Sequence, residues 1–199
     1  MIRAFLIPGF HPSRSFADSD FDNLRLRMHE SGVNLNGIDE PWADYSISEY
    51  GRLACAQKEL ASADVLIGHS VGAIAALSVV QKLPIRRLLL CSPSALFAED
   101  IAELTDSSAA DFLGEKRYNE LSRLSSYKLA EEVNQLGHDT VITIGSKEYH
   151  RNLNLVQRAK QLSESIHSSR FIEISGAEHS IRDDVYASEI SRIVTTICE

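Results

Sequence analysis

The chain has 199 residues, a length typical of one domain that buries a full hydrophobic core. It is an ordinary globular composition, with 44% hydrophobic residues, 24% charged residues and a net charge of −8. Because the basic residues are scattered through an acidic chain, a nucleic-acid partner is not expected. No apolar run approaches the roughly 18–20 residues that a membrane span needs, so a membrane partner is not expected either.

Short apolar runs alternate with longer segments of helical period along the chain. The predicted strands are Ile2–Ile7, Val33–Ile38, Asp64–Ile67, Arg87–Cys91, Thr140–Ile144 and Arg170–Ile174. The predicted helices are Asp20–Glu30, Ile47–Ser62, Ala73–Lys82, Leu153–Ser165 and Asp183–Ile197. Several strands are apolar at every position, as strands covered on both faces are. This order predicts a three-layer α/β/α sandwich with a mainly parallel sheet of about six strands.

The N-terminal stretch and the cysteines indicate the cellular compartment in which the protein is expected. The run "MIRAFLIPGF" ends in a Pro-Gly break and is too short for the core of a signal peptide, so it is interpreted as the first strand. Cys55, Cys91 and Cys198 are odd in number, far apart and in apolar settings. This pattern predicts buried free thiols in a reducing cytoplasm. No metal-type spacing is present, and no cofactor is expected.

The segment 94–137 interrupts the alternation of strands and helices. It contains no convincing strand and two or three amphipathic helical stretches. An insertion of this size between consecutive strands is often a cap or lid over a site, although one crossover helix with surface decoration is the alternative. Lys116 and Arg117 within it are candidates for a local basic patch. The chain is therefore predicted to be a single domain, 1–199, with 94–137 as a helical cap.

The stretch "ADVLIGHSVGAIAALSVV" at 63–80 reads as a strand, a tight turn and a helix, the setting of a G-x-S-x-G nucleophile elbow. A serine in such a turn projects its hydroxyl beyond the C-terminal edge of the sheet, where open α/β sheets bind ligands. The tightness of the turn requires Gly68 and Gly72 on either side of Ser70. Ser70 is the predicted nucleophile; the alternative is a small residue in a tight turn.

A serine nucleophile needs a base, and the base needs an acid to orient it. His179 lies in "GAEHS" after the last predicted strand and is the predicted base. Glu148 lies in "GSKE" after the preceding strand and is the predicted acid; alternatively, it is a first-turn acid of the next helix. Asp183 and Asp184 are assigned to capping the last helix.

The other six histidines are not predicted to be catalytic, and two backbone amides are predicted to form the oxyanion hole. His69 is expected to direct its side chain away from the reacting centre. Five other histidines are expected on the surface or in loops: His11, His29, His138, His150 and His167. The amides of Val71 and Phe10 are the predicted oxyanion-hole donors, with His11 as the rival for the second position.

Together, these motifs resemble the α/β-hydrolase superfamily over nearly the whole chain. "PGF" at 8–10 resembles the family's His-Gly-x oxyanion loop with Pro8 in place of His, and "GHSVG" matches its elbow. "GSKE" resembles the Gly-x-x-Asp acid loop with Glu148 in place of Asp, and "GAEHS" resembles the base loop. Because the first predicted strand leads directly into the oxyanion loop, the two edge strands that open many family members are expected to be absent.

The resemblance implies acyl transfer, in which Ser70 attacks a carbonyl, His179 shuttles the proton and water releases the acyl group. The predicted function is a cytoplasmic, carboxylesterase-like serine hydrolase for a small or accessible ester. A thioesterase acting on acyl-coenzyme A or acyl carriers is the next hypothesis, since the same triad serves both. A lyase, an acyltransferase or a non-catalytic binding protein would also keep the elbow, because this fold hosts many functions.

Overall fold

The computed structural model describes residues 1–101 and 108–199. Within these residues six parallel strands form one sheet in the order β2-β1-β3-β4-β5-β6. The strands are β1 (Ile2–Ile7), β2 (Val33–Gly37), β3 (Val65–His69), β4 (Arg87–Cys91), β5 (Asp139–Gly145) and β6 (Ser169–Ile174). The predicted strands are all present, with ends shifted by no more than about two residues, an error usual for element boundaries.

The helices follow the predicted order. They are α1 (Asp22–Glu30), α2 (Ile47–Cys55), α3 (Lys58–Ala61), α4 (Val71–Val79), α5 (Ala98–Ile101), α6 (Ser108–Leu113), α7 (Glu115–Leu121), α8 (Ser126–Leu136), α9 (Glu148–Arg151), α10 (Leu153–Ser165) and α11 (Asp184–Cys198). Short 3₁₀ turns precede α1 and follow α4. The predicted helix Ile47–Ser62 is two helices, because Gln57 adopts an extended backbone with ψ 128°.

Helices cover both faces of the sheet. The hydrophobic core divides into two clusters, and neighbouring residues of β3 alternate between them: Leu66 belongs to one, Val65 and Ile67 to the other. Helices α2, α3, α4, α8 and α10 supply side chains to the first cluster, and α1 and α11 to the second. The predicted three-layer α/β/α sandwich is therefore confirmed.

The sheet reverses its direction of growth between β1 and β3. From β1 the chain first adds β2 on one side, then crosses back to place β3 on the other side. In open α/β sheets, ligands bind outside the carboxyl ends of the strands at such a reversal. Gly9 and Phe10 follow β1 and Ser70 follows β3, so the fold places both loops at this crevice.

The connection between β4 and β5 carries α5, α6, α7 and α8, and the described part of 94–137 contains no strand. Residues 102–107 of the predicted cap lie outside the described residues. The predicted basic patch is wrong. Arg117 is only 8% exposed, and its guanidinium donates to the carbonyls of Ala43 and Tyr45, both at 2.8 Å. Lys116 pairs with Glu49 at 2.5 Å. Both cations thus bind the segment 94–137 to residues 43–49 and are not free to form a basic patch.

The cysteines are all free thiols, but only Cys91 is buried; Cys55 and Cys198 are partly exposed. The expectation of three buried thiols is therefore correct for one of them, since α2 and α11 end at the other two and leave them at the rim of the core. None of the helices in the described ranges is both long enough and apolar enough to cross a membrane.

Candidate active site

Ser70 stands between the end of β3 and the start of α4, with φ 54° and ψ −122°. Its amide donates to the carbonyl of Cys91 at 2.9 Å, and its carbonyl accepts from the amide of Ala73 at 3.0 Å. A positive φ at a non-glycine residue costs about 1–3 kcal/mol and persists only where the surroundings enforce it. Here strand β4 and helix α4 hold the backbone of Ser70 in this conformation.

The two elbow glycines lie against backbone atoms. A Cβ on Gly72 would come within 2.3 Å of the Ile7 carbonyl oxygen and 2.4 Å of that of Pro8. A Cβ on Gly68 would come within 2.6 Å of the Cα of Ala73. Since backbone cannot move aside as a flexible side chain can, both positions need glycine.

Ser70, His179 and Glu148 form one hydrogen-bonded chain at the C-terminal edge of the sheet. His179 Nε2 lies 3.1 Å from Ser70 Oγ, and His179 Nδ1 lies 2.8 Å from Glu148 Oε2. The imidazole is 44% exposed whereas the carboxylate is only 3% exposed. The structure thus brings together the three residues predicted from separate loops, in the arrangement that activates a serine hydroxyl.

Glu148 is held as a carboxylate. Its Oε1 accepts from Ser92 Oγ at 2.5 Å and from the amide of Gly145 at 2.7 Å. Burial alone would raise the pKa of Glu148, but hydrogen bonds from His179, Ser92 and Gly145 outweigh it and hold the pKa below its usual value. Glu148 is also the first residue of α9, as the alternative interpretation of a first-turn acid predicts. Its side chain nevertheless points toward His179, as the predicted acid must.

Ser92 follows β4 with φ 44°, and no motif in the sequence marks it as part of the site. Its hydroxyl lies 2.8 Å from the hydroxyl of Tyr186, which in turn lies 2.9 Å from Thr143 Oγ1. These three hydroxyls are buried and extend the chain from His179 and Glu148 into the core. Ser92 therefore positions the predicted acid.

Substitution of Ser92 by alanine is expected to lower kcat/KM by about 10- to 100-fold, because a hydrogen bond to a charged group contributes roughly 1.5–3 kcal/mol. Loss of this donor also raises the pKa of Glu148, so the acidic limb of the pH profile moves to higher pH. The measurement is kcat/KM against pH for an activated ester. Ser191→Ala is the matched control, since this buried serine bonds to Arg27 and Ser31 instead. An unchanged profile for Ser92→Ala would contradict the positioning role.

Two cavities border Ser70. The larger cleft, of about 640 Å³, runs past α9 and the start of α10; the smaller pocket, of about 240 Å³, runs along the loop after β1. Both are lined by Ser70, Phe112, His179 and Ser180. Ser70 therefore borders two spaces, as is needed by a serine that cleaves a bond between two parts of a substrate.

Comparison with solved structures identifies proteins of the same fold, whereas comparison of sequences finds no match. No protein-family model matches the chain, and no curated protein matches its sequence. The esterase domain from a Rhodothermus marinus protein superimposes with a TM-score of 0.69 at 16% identity, covering 98% of this chain and 85% of that chain. A bromoperoxidase from Bacillus anthracis gives 0.67 at 14% identity, covering 100% and 92%. MGS-MChE2, an alpha/beta hydrolase enzyme from the metagenome of sediments of the Mar Chica lagoon, gives 0.63 at 17% identity, covering 98% and 90%.

The chain has the α/β-hydrolase fold. The predicted fold is thereby confirmed, in a six-stranded form in which β1 leads directly into the loop at Pro8–Phe10. That loop packs on the elbow, since a Cβ on Gly9 would lie 2.8 Å from His69 Nδ1 and 3.2 Å from Ser70 Cβ.

The two residues predicted to donate to the oxyanion lie near Ser70 in this version of the α/β-hydrolase fold: Val71 follows it in the chain, and Phe10 lines the smaller pocket with it. Val71 is the first residue of α4, so its amide belongs to the set at a helix start that has no partner within the helix. The Phe10 ring is fixed edge-on against Trp42 and Phe112, with the Arg117 guanidinium 4.4 Å from its centroid.

His69 differs from the sequence expectation, and His138 is a buried loop histidine. The His69 ring does not turn away from the site: its Nε2 donates to the carbonyl of His179 at 2.9 Å, in space that Gly9 leaves free. Burial first, and then the charge of a protonated His179, lower the pKa of His69 to about 3, so this ring stays neutral. His138 lies in the loop before β5, as predicted, but it is only 5% exposed because it leads directly into that inner strand.

The positions of four other histidines and of the two acidic residues at the start of the last helix agree with the sequence prediction. His29, His150 and His167 are exposed, and His11 is partly exposed. Asp183 occupies the N-cap position of α11, but its side chain makes no capping hydrogen bond; Asp184 begins that helix, 2.8 Å from Arg27.

Proposed function

We propose that the protein is a serine hydrolase that cleaves the carboxylic ester of a small or accessible substrate through an acyl-enzyme on Ser70. One observation carries the proposal: the continuous hydrogen-bonded chain Ser70–His179–Glu148, with distances of 3.1 Å and 2.8 Å, at the edge of the sheet where both cavities meet. The fold hosts many reactions, so the site and not the fold supports this function.

In the acylation step, Ser70 Oγ attacks the ester carbonyl carbon while His179 Nε2 accepts the hydroxyl proton. Glu148 stabilises the imidazolium that forms, and its low pKa keeps it charged for that purpose. The amides of Val71 and Phe10 stabilise the negative charge on the carbonyl oxygen. When the tetrahedral intermediate collapses, the carbon–oxygen bond to the alcohol breaks and His179 donates its proton to the departing oxygen.

The deacylation step repeats the same proton transfers with water. His179 removes a proton from a water molecule, whose oxygen attacks the acyl carbon on Ser70. Collapse of the second intermediate returns the proton from His179 to Ser70 Oγ and releases the carboxylic acid. Because the His179 side chain is 44% exposed, water reaches this position without a large rearrangement.

A comparison of substrates tests this function. The wild-type protein is expected to hydrolyse p-nitrophenyl acetate and longer p-nitrophenyl esters more efficiently than acyl-coenzyme A, with activity in Ser70→Ala reduced by at least about 10³-fold. A higher kcat/KM for acyl-coenzyme A would instead favour the thioesterase. If no substrate in either class were hydrolysed above the Ser70→Ala background, the proposed function would be wrong.

A further inference from the structure

Two arginines from different loops share one carboxylate next to the site. Arg14 lies in the loop after β1 and Arg182 in the loop before α11, and both pair with Oδ2 of Asp20, Arg182 at 2.6 Å. One carboxylate cannot neutralise two guanidinium groups, so the cluster keeps one positive charge in excess. None of these three residues takes part in the acyl-transfer steps.

The excess charge faces the smaller pocket. Both Arg14 and Arg182 line the cavity of about 240 Å³ beside Ser70, and no Asp or Glu among the described residues lines it. This is unusual in a chain with 28 acidic and 20 basic residues. Asp20 and Asp183 instead line an outer recess of about 400 Å³, which the same two arginines also border. The carboxylates therefore lie on the outer side of the two guanidinium groups, and the side that borders the pocket has no acidic residue among those described.

The polar side chains of the pocket are arranged mainly as donors. His11 Nδ1 accepts from the amide of Ser13 at 3.3 Å, so in the neutral ring Nε2 carries a proton to donate. Arg182 Nε also donates to Ser180 Oγ at 3.3 Å, which fixes the guanidinium at the wall of the pocket. The charge of Arg182 contributes to the low pKa of His69, after burial and His179, so its field extends to the residue preceding Ser70.

We propose that this pocket binds a carboxylate or phosphate group of the substrate, so that the preferred ester is anionic at the end that enters it. The proposal rests on the proposed hydrolysis at Ser70 and adds a substrate class to it. Planar guanidinium groups match both oxyanions geometrically, and Phe10, Phe21 and Phe112 provide apolar walls for the linking atoms. The protein thus presents a local anion site despite its net charge of −8.

Matched pairs of esters test the proposal. One pair is p-nitrophenyl hydrogen adipate and p-nitrophenyl methyl adipate; the other is p-nitrophenyl 6-hydroxyhexanoate with and without a terminal phosphate. Because both guanidinium groups are partly exposed, we expect kcat/KM to favour the anionic member about tenfold in at least one pair. The pair that shows the preference distinguishes carboxylate from phosphate. Raising NaCl from about 20 mM to about 500 mM should reduce the preference by screening.

Substitutions assign the preference to the cluster. Arg14→Gln and Arg182→Gln are expected to lower the anionic-to-neutral ratio about tenfold, whereas Asp20→Asn is expected to raise it, since it frees both guanidinium groups. A purely structural role for Asp20 would not raise the ratio. Arg192→Gln is the matched control, because Arg192 pairs with Glu189 on the surface of α11 and should leave the ratio unchanged.

The outcomes separate this proposal from the proposed function. Equal kcat/KM values within both pairs, with hydrolysis that depends on Ser70, would overturn the anion site and leave the hydrolase intact. Calorimetric titration of the wild-type protein with adipate and with inorganic phosphate provides a readout that needs no turnover. Binding that weakens about tenfold or more in Arg14→Gln and Arg182→Gln supports the site; no binding of either anion overturns it.

Discussion

Substitution of Glu148 by glutamine is expected to lower kcat about 10⁴-fold, as loss of the orienting carboxylate does in a Ser-His-acid triad. Glutamine keeps nearly the same shape, but it carries no charge to stabilise the imidazolium of His179. Its amide can also donate to Nδ1, which favours the wrong tautomer of the ring. The measurement is kcat for p-nitrophenyl acetate at pH 8, with thermal unfolding to confirm that the variant is folded.

The control for this prediction is Glu173→Gln, which removes an exposed carboxylate from β6 and should leave kcat unchanged. Asp183→Asn should likewise retain activity, because Asp183 occupies the N-cap position of α11. If Glu148→Gln kept activity within tenfold of the wild-type protein while Asp183→Asn lost it, the acid would be Asp183, and the hydrogen bond from His179 to Glu148 would have no catalytic role.

Substitution of Gly72 by alanine is expected to destabilise the protein by about 3 kcal/mol or more, a loss found where a core side chain is overpacked. The new methyl group would lie 2.3 Å from the Ile7 carbonyl oxygen and 2.4 Å from that of Pro8, which belong to β1 and the loop after it. Relief of this clash requires α4 to move away from β1, and α4 carries Ser70 at its start. Activity should therefore fall together with stability.

Urea unfolding of Gly72→Ala and of Ala75→Gly measures this effect. Ala75 is buried in the same helix, and its replacement by glycine should cost about 1 kcal/mol from helix propensity, with a further contribution from the lost methyl group. A free energy of unfolding for Gly72→Ala within 1 kcal/mol of the wild-type value would show that the elbow tolerates a side chain, contrary to the contacts described above.

The sheet is predictable from the sequence because parallel strands covered on both faces are continuously apolar, as in "VLIG", "LLLC" and "VITI". The three triad residues are predictable for a related reason. Ser70, Glu148 and His179 each follow a strand, and the carboxyl ends of parallel strands meet at one edge of the sheet. A position directly after a strand therefore predicts that these three side chains lie close together.

Contacts between distant loops leave no such pattern. Ser92 reads as an ordinary serine after an apolar strand, and Tyr186 as a core residue of the last helix, yet their hydroxyls meet beside Glu148. Arg117 reads as exposed from its charge, whereas the carbonyls of Ala43 and Tyr45, more than seventy residues earlier, are what allow its burial. Only the fold shows which backbone acceptors a buried cation reaches.

The cluster of Arg14, Asp20 and Arg182 illustrates the same limit. Each residue alone is an ordinary surface charge, and more than 160 positions separate Arg182 from the other two. The loop before the start of α11 lies against the loop after β1, which brings the three residues together near Ser70. The net positive charge of the cluster therefore follows from the fold and not from any one stretch of sequence.

The proposed chemistry requires Ser70 to be an activated nucleophile, which covalent labelling can detect without any substrate. The wild-type protein and Ser70→Ala are each incubated with a fluorophosphonate probe, and the intact mass of each is measured. We expect a single probe adduct on the wild-type protein and none on Ser70→Ala. Absence of the adduct on the wild-type protein, or equal labelling of Ser70→Ala, would contradict it.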